Sequence, residues 1–203
     1  ISTQQTSFCF IGQMRSALPD AIGGCVWWTN DDSNMAPFTP IYCCAKEVPA
    51  CYVIKPGVQD DVTFDFNSAF WSQNVVSNLV YPYYEKMYTD LRAKKDELES
   101  GFFTNQKSIE EKAAAEYSAD RDTAVKTLTG YSLASASKMM DEWHKLFSYL
   151  VVKHNDMVTK KVDGNGKFLK TKHGYAVSPE RPGYPEAYRK QIVKETGGKY
   201  LMP

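Results

Sequence analysis

No stretch of this sequence approaches the roughly 20 apolar residues that a helix needs to cross a bilayer. There is no excess charge of either sign, since 24 Lys plus Arg balance 24 Asp plus Glu. A zero net charge leaves no global positive field for a nucleic-acid backbone, so nucleic-acid binding is set aside. Histidine is scarce, with only His144, His154 and His173. His144 and His154 stand ten apart, about 80° around a helix and about 15 Å along it, so they cannot share a metal ion. No C-x-x-C pair occurs, which removes the usual structural zinc site, and no metal or other cofactor is expected. A G-x-S-x-G nucleophile elbow, a signal peptide, internal repeats and low-complexity segments are also missing.

What is present is a chain built to pack. Of 203 residues, 43% are apolar and 13% aromatic, which suits one domain or a large part of a bigger one and argues against disorder. Three zones differ in character: β-rich 1–65, helical 66–156 and a tail, 157–203. Within the first, strands are expected over about 5–65, at Thr6 to Ile11, Gly24 to Thr29 and Pro40 to Ala45. These runs are continuous rather than alternating, which predicts strands buried on both faces. Helices are expected over about 67–155. Trp71, Val75 and Leu79 share one face, and Pro82 should break or kink the helix there. Tyr84, Met87, Tyr88 and Leu91 carry a stripe on to Leu98, with Gly101 as the stop. Ser108 to Glu111 reads as a capping box that opens a helix reaching about Tyr117. The clearest helix follows Ser132, with Met140, Trp143, Phe147, Leu150 and Val151 on one stripe. In the tail, Asp163-Gly164-Asn165-Gly166 reads as a hairpin turn, and a short helix from Glu186 to Glu195 should end at Gly197-Gly198.

The chemistry-bearing residues are few. Cys9, Cys25, Cys43, Cys44 and Cys51 lie in the first quarter, within apolar stretches, and read as small buried core residues; a disulfide from Cys51 to a neighbour is the alternative. None is expected to have a His or Lys placed so as to lower its pKa. Asp31-Asp32-Ser33-Asn34 is the densest polar cluster and lies where a strand ends. It fails the EF-hand pattern and reads either as a site or as a turn. A catalytic pair made of Asp31 and Asp32 alone is disfavoured, because adjacent residues on a strand point to opposite faces.

The run Ser7 to Pro19, with Gln13, Arg15, Leu18 and Pro19 at their spacing, resembles a segment of the dipeptidase and secernin family. So does Ile22-Gly23-Gly24-Cys25-Val26-Trp27, followed by the acidic pair Asp31-Asp32 and by Pro40-Ile41-Tyr42. Ser68-Ala69-Phe70-Trp71, Asn78-Leu79-Val80, Gly130-Tyr131-Ser132 and the Trp143 helix fit the same order. The resemblance covers about residues 5–155 and continues more weakly to the end.

That resemblance implies an α+β fold, the C-terminal part of an N-terminal-nucleophile hydrolase αββα sandwich. It also implies a mechanism in which a mature N-terminal cysteine attacks the amide of a dipeptide, with its own α-amino group as base and no metal. The first residue here is Ile1, so the nucleophile is expected upstream and no residue of this chain is expected to be catalytic. Arg15, Asp31 and Asp32 match polar family positions and are the substrate-binding candidates, Arg15 for a carboxylate and the aspartates for an ammonium group. A structural ion pair between Arg15 and Asp31 or Asp32 is the alternative. The competing functional reading is a non-catalytic binding or structural module that keeps the fold. The expected partners are a dipeptide, the missing N-terminal half of the polypeptide, or a second copy through self-association. Bacterial members of the family often carry export signals, which implies an extracytoplasmic parent; the compartment is not readable from these residues.

Overall fold

The computed structural model describes residues 2–58, 60–197 and 199. The protein is α+β, with a three-stranded antiparallel sheet and helices, compatible with part of an N-terminal-nucleophile fold. In chain order come β1 (Phe8–Met14), the short α1 (Asp20–Gly23), β2 (Gly24–Asn30) and β3 (Thr39–Tyr42), and the strands lie in the order β1-β2-β3. All three expected strands form, with their ends shifted by a few residues.

The register pairs Phe8 with Asn30 and Met14 with Gly24, and on the other side Cys25 with Tyr42. Gly23 closes the β1–β2 connection for a steric reason. A Cβ there would lie 2.7 Å from the Arg15 carbonyl oxygen, whose own amide donates to the Gly23 carbonyl at 3.1 Å.

Burial in the sheet differs from the sequence expectation. β2 alternates, with Cys25, Trp27 and Thr29 buried and their neighbours half-buried. β1 is largely bare: Phe8, Phe10, Ile11 and Met14 are all more than half exposed. Among the described residues β1 pairs with β2 alone, so its outer row of amides and carbonyls forms an open edge. An apolar run shows only that burial is favourable; it does not supply the layer that buries it. At the opposite edge the Tyr42 amide is covered, donating to Ser132 Oγ at 3.1 Å.

Helix α2 (Ala69–Val80) passes through a single 3₁₀ turn, Tyr81–Tyr83, into α3 (Tyr84–Ala119). Pro82 therefore interrupts the helix as its missing amide predicts. Gly101 does not. Leu98 and Phe102 on either side are buried on one stripe with Met87 and Leu91, and that burial outweighs the roughly 1 kcal/mol helix penalty of one glycine. The expected capping box is likewise absorbed into α3, where Ser108 Oγ donates back to the Asn105 carbonyl. The true break is Asp120, whose carboxylate accepts from the amides of Asp122 and Thr123 and opens α4 (Arg121–His154). The buried stripe of α4 runs through Ala124, Leu128, Ser132, Ala136, Met139, Trp143 and Leu146. Met140, Trp143 and Leu150 of the expected stripe are buried as well, whereas Phe147 is only half-buried and Val151 is exposed.

The chain divides into two compact units, Ile1–Ser148 and Tyr149–Pro203, with the boundary inside α4. In the second unit the expected hairpin forms. Val162 and Phe168 bridge antiparallel, and the Gly166 amide donates to the Asp163 carbonyl at 3.0 Å. Helix α5 (Glu186–Thr196) ends at Gly197, which adopts the left-handed conformation that suits glycine. Gly198 and Ile1 lie outside the described residues. Among the described residues, no helix is long and apolar enough to cross a membrane.

Candidate functional site

Asp31 and Asp32 follow the last residue of β2 and are both fully buried. Asp31 has φ of 58°, a left-handed turn that Asp tolerates better than most residues, and this turns the two carboxylates in different directions. Asp31 accepts from Ser77 Oγ and from Asn74 Nδ2, the latter at 2.7 Å, both on α2. Its amide donates to the Ser7 carbonyl at 2.9 Å. Asp32 accepts from the hydroxyls of Ser2 and Tyr81 and from the Asn34 amide. Burial and the Asp32 carboxylate together push the Tyr81 phenol well above its ordinary pKa.

This network explains α2. The expected inward face, Trp71, Val75 and Leu79, is only half-buried, whereas Ser72, Gln73, Val76 and Ser77 are fully buried. Buried carboxylates need donors, and the polar stripe of α2 supplies them; Gln73 Oε1 also accepts from the Asn30 amide at 3.1 Å. Gln73, Asn74 and Ser77 were not singled out in the sequence. Their only signal was a polar stripe at helical spacing, which reads equally as a solvated face.

Arg15 lies elsewhere. It follows the end of β1, and because β1 and β2 are antiparallel it sits at the opposite end of the ladder from Asp31. Six residue steps at about 3.4 Å each put the two ends about 20 Å apart. An extended dipeptide spans only about 7 Å, so one dipeptide cannot touch both.

Arg15 is committed to α3 instead. Its Nη1 is 2.6 Å from the Glu110 carboxylate, and its Nη2 donates to the Ile22 carbonyl at 2.9 Å. Glu110 also accepts from the Tyr42 hydroxyl at 2.5 Å. Nearby, Gln13 Oε1 accepts from Trp27 Nε1 at 3.2 Å and from Gln106 Nε2 at 2.8 Å. The run Gln13, Arg15, Ile22, Gly23 and Trp27 thus clamps the hairpin onto α3. The alternative of an ion pair between Arg15 and Asp31 or Asp32 is not what forms: the carboxylate paired with Arg15 is that of Glu110.

Replacing Arg15 with Met is expected to cost about 1.5–3 kcal/mol, because the Glu110 carboxylate stays mostly covered without its partner. Adding Glu110→Gln should recover part of that loss. Urea unfolding midpoints of the single and double variants measure both. An unchanged midpoint for Arg15→Met would exclude the clamp.

All five cysteines are thiols. Only Cys25 is fully buried; Cys43 is exposed and the other three are intermediate, so the expectation of buried core cysteines holds for one of them. Burial pushes the Cys25 thiol up to about 12 despite the Arg15 charge nearby, and burial pushes Cys51 up to about 12 as well. Neither is a thiolate at neutral pH. In the unfolded chain these thiols release their protons first, so above about pH 9 the unfolded state binds fewer protons than the native state. Stability is therefore expected to fall as pH rises from about 9 to about 12, and Cys25→Ala should flatten part of that decline in urea titrations at successive pH values.

His144 is a packing residue, stacked on the Phe66 ring at 4.2 Å with Nε2 2.7 Å from the Phe66 carbonyl. Among the described residues, no three His, Cys, Asp or Glu side chains are grouped so as to hold a metal ion.

One cleft stands beside Asp31. It has a volume of about 480 Å³ and lies over the face of the sheet turned away from α3. Phe8 and Trp28 form its floor, stacked at 4.9 Å, and Trp28 Nε1 is held by Asn30 Oδ1 at 3.3 Å. Tyr52 walls it, hydrogen-bonded to Thr39 at 2.7 Å, with Cys51, Val53 and Ile54 beside it. Asp60, Asp61, Ser68 and Phe70 complete the lining.

Residues 1–97 match the model of peptidase family C69. This part of the chain is thus similar to the dipeptidase and secernin family, which supports a peptidase function in general. It takes in the whole sheet, the Asp31–Asp32 network, every residue that lines the cleft and the first turns of α3. No curated protein matches the chain.

Proposed function

We propose that this chain is the C-terminal part of a cysteine dipeptidase of the N-terminal-nucleophile class, whose nucleophile is a cysteine in an upstream segment. The family match over residues 1–97 carries this reading. Two structural features support it. The open apolar edge of β1 is suited to pairing with strands from another segment. The thiols of Cys25 and Cys51 are held protonated, which makes them poor nucleophiles.

In the intact enzyme the upstream cysteine would attack the dipeptide amide, with its own α-amino group as the base. An α-amino group titrates near pH 7.7–8.0, roughly two units below lysine, so it can accept the thiol proton at neutral pH. The thioester would then be hydrolysed by water. The present chain would contribute half of the sheet, and its buried Asp31–Asp32 network would hold the β2 terminus rigid at the substrate cleft.

The deciding experiment is N-terminal sequencing and intact mass of the native protein, with dipeptide hydrolysis assayed before and after a Cys→Ala change at the mature N-terminus. A longer protein that begins with Cys and loses hydrolysis on substitution is expected. A native protein no longer than this chain and lacking an N-terminal Cys would sink the reading.

The open β1 edge carries a companion expectation. The chain alone should self-associate with rising concentration, and co-expression with the upstream segment should replace this by a one-to-one complex. Light scattering that shows a strict monomer at high concentration would count against it.

A further inference from the structure

The zero net charge of the whole chain hides an uneven distribution. Residues 149–203, the second compact unit, hold 11 Lys and Arg against five Asp and Glu, a net +6. Residues 1–148 hold 13 against 19, a net −6. The basic unit also lies outside the family match, which ends at residue 97.

Within the basic unit the hairpin gains a third extended segment. The Leu169 amide donates to the Lys161 carbonyl at 3.0 Å, and the Val177 amide donates to the Leu169 carbonyl at 3.1 Å. Lys161, Leu169 and Val177 therefore stand level across three antiparallel segments, with their side chains on one side. The two-residue alternation of extended chain adds Lys167 and Tyr175 to that side. The other side carries Lys160, Phe168 and Lys170 and turns toward the end of α4. There the Phe168 ring lies 5.5 Å from that of Tyr149, and Lys160 Nζ donates to the Val152 carbonyl. The first side is bare. Leu169 is 41% and Tyr175 76% exposed, Lys161 and Lys167 are exposed, and Val177 is half-buried. Asp163, the acid on this side, is taken up by the turn, where it accepts from the Asn165 and Lys167 amides at 2.8 and 3.0 Å. Helix α5 adds Arg189, Lys190 and Lys194 to the same unit.

An anionic bilayer suits both halves of this surface. Lysines are drawn to the negative headgroups, and Leu and Tyr side chains gain by burial at the boundary between headgroups and acyl chains. A nucleic acid would use the lysines on its phosphates, but its bases are held by aromatic stacking and give an aliphatic row such as Leu169 and Val177 nothing to fill. We infer that residues 149–203 dock the protein peripherally on an anionic phospholipid surface. Leu169 and Tyr175 enter the interface, and Lys161 and Lys167 meet lipid phosphates beside them. The inference is independent of the peptidase reading, because the family match does not reach these residues.

The test is cosedimentation of the 203-residue chain with vesicles of phosphatidylcholine alone and of phosphatidylcholine with one-quarter phosphatidylglycerol. Saturable binding to the anionic vesicles is expected, stronger than to the neutral ones by about tenfold or more. It should fall by about tenfold or more between about 0.05 M and about 0.5 M salt as screening tightens. Lys161→Gln and Lys167→Gln should each weaken binding about fivefold, and Lys170→Gln, on the α4 side, about twofold or less. Leu169→Ser with Tyr175→Ser should weaken binding by about tenfold and leave the salt dependence unchanged. Circular dichroism checks that each variant folds, and the lipid and salt series test the same point on the unaltered chain. Absence of binding to the anionic vesicles, equal binding to both vesicle types, or equal losses for Lys161→Gln and Lys170→Gln would overturn the inference. Tighter binding of a duplex DNA fragment than of the anionic vesicles at the same salt would also overturn it, in favour of a nucleic-acid partner.

Discussion

Replacing Asp31 with Ala is expected to destabilise the protein by about 2–5 kcal/mol. Two effects combine. Asn74 Nδ2 loses its acceptor, at about 1–3 kcal/mol for a group left unpaired, while Ser77 Oγ falls back on its second acceptor, the Asn74 carbonyl at 3.0 Å. The backbone at φ 58° also suits Asp better than Ala, a difference of up to about 1–2 kcal/mol. Substitutions separate the two. Asn keeps an oxygen acceptor and tolerates the left-handed turn, so Asp31→Asn should lose the least. Asp31→Gly relieves the backbone but leaves the Asn74 donor stranded, and should fall between Asn and Ala. Urea unfolding followed by circular dichroism gives the order. If Ala were as stable as Asn, the carboxylate would not be holding α2 to the sheet.

The second large effect is expected at Trp143, which is fully buried on α4. Trp143→Ala should cost about 3–5 kcal/mol, the range for removing a large aromatic ring from a core. Trp143→Phe should cost far less, within about 1.5 kcal/mol of the parent. The indole N–H has no acceptor among the described residues, so removing it gives up no hydrogen bond and relieves a buried unpaired donor. Thermal unfolding of both variants checks this. An equally large loss for Phe and Ala would mean that the indole makes a bond essential to the fold.

Arg15, Asp31 and Asp32 show what position in the sequence can and cannot say about a site. All three follow strand ends and match polar family positions, so a shared substrate cleft was a fair expectation. The antiparallel register separates Arg15 from the two aspartates, and Arg15 is engaged by Glu110, 95 residues further on. Glu110 lies in a segment that reads locally as a capping box. Its partner becomes visible only when α3 crosses the hairpin. Asp31 and Asp32 remain beside a cleft, as structural anchors of its edge, while Ser68 and Asp61 are among the residues that line it. Ser68 was legible only as the start of a helix, since a capping serine and an uncapped one have the same sequence.

The helices make the same point energetically. Gly101 and Ser108 are local stop and start signals worth about 1 kcal/mol each. They are overridden because Leu98, Phe102 and Gln106 are buried on one continuous stripe. Pro82 was not overridden, because a missing amide and a steric clash cannot be offset by side-chain packing. On α2 the apolar stripe was the wrong guide, because the buried carboxylate of Asp31 needed the polar one.

By itself the sequence determined the element types, the three strands, the break at Pro82, the tail hairpin and the similarity of its first 97 residues to a peptidase family. Those follow from local backbone chemistry, side-chain periodicity and short motifs, which act over a few residues. Only the tertiary structure decided that β1 is bare, that α2 turns its polar face inward, that Arg15 pairs with Glu110 and that Ser68 opens into a cleft. Each of these depends on what a distant segment places alongside, and burial and pairing are properties of that neighbour as much as of the residue.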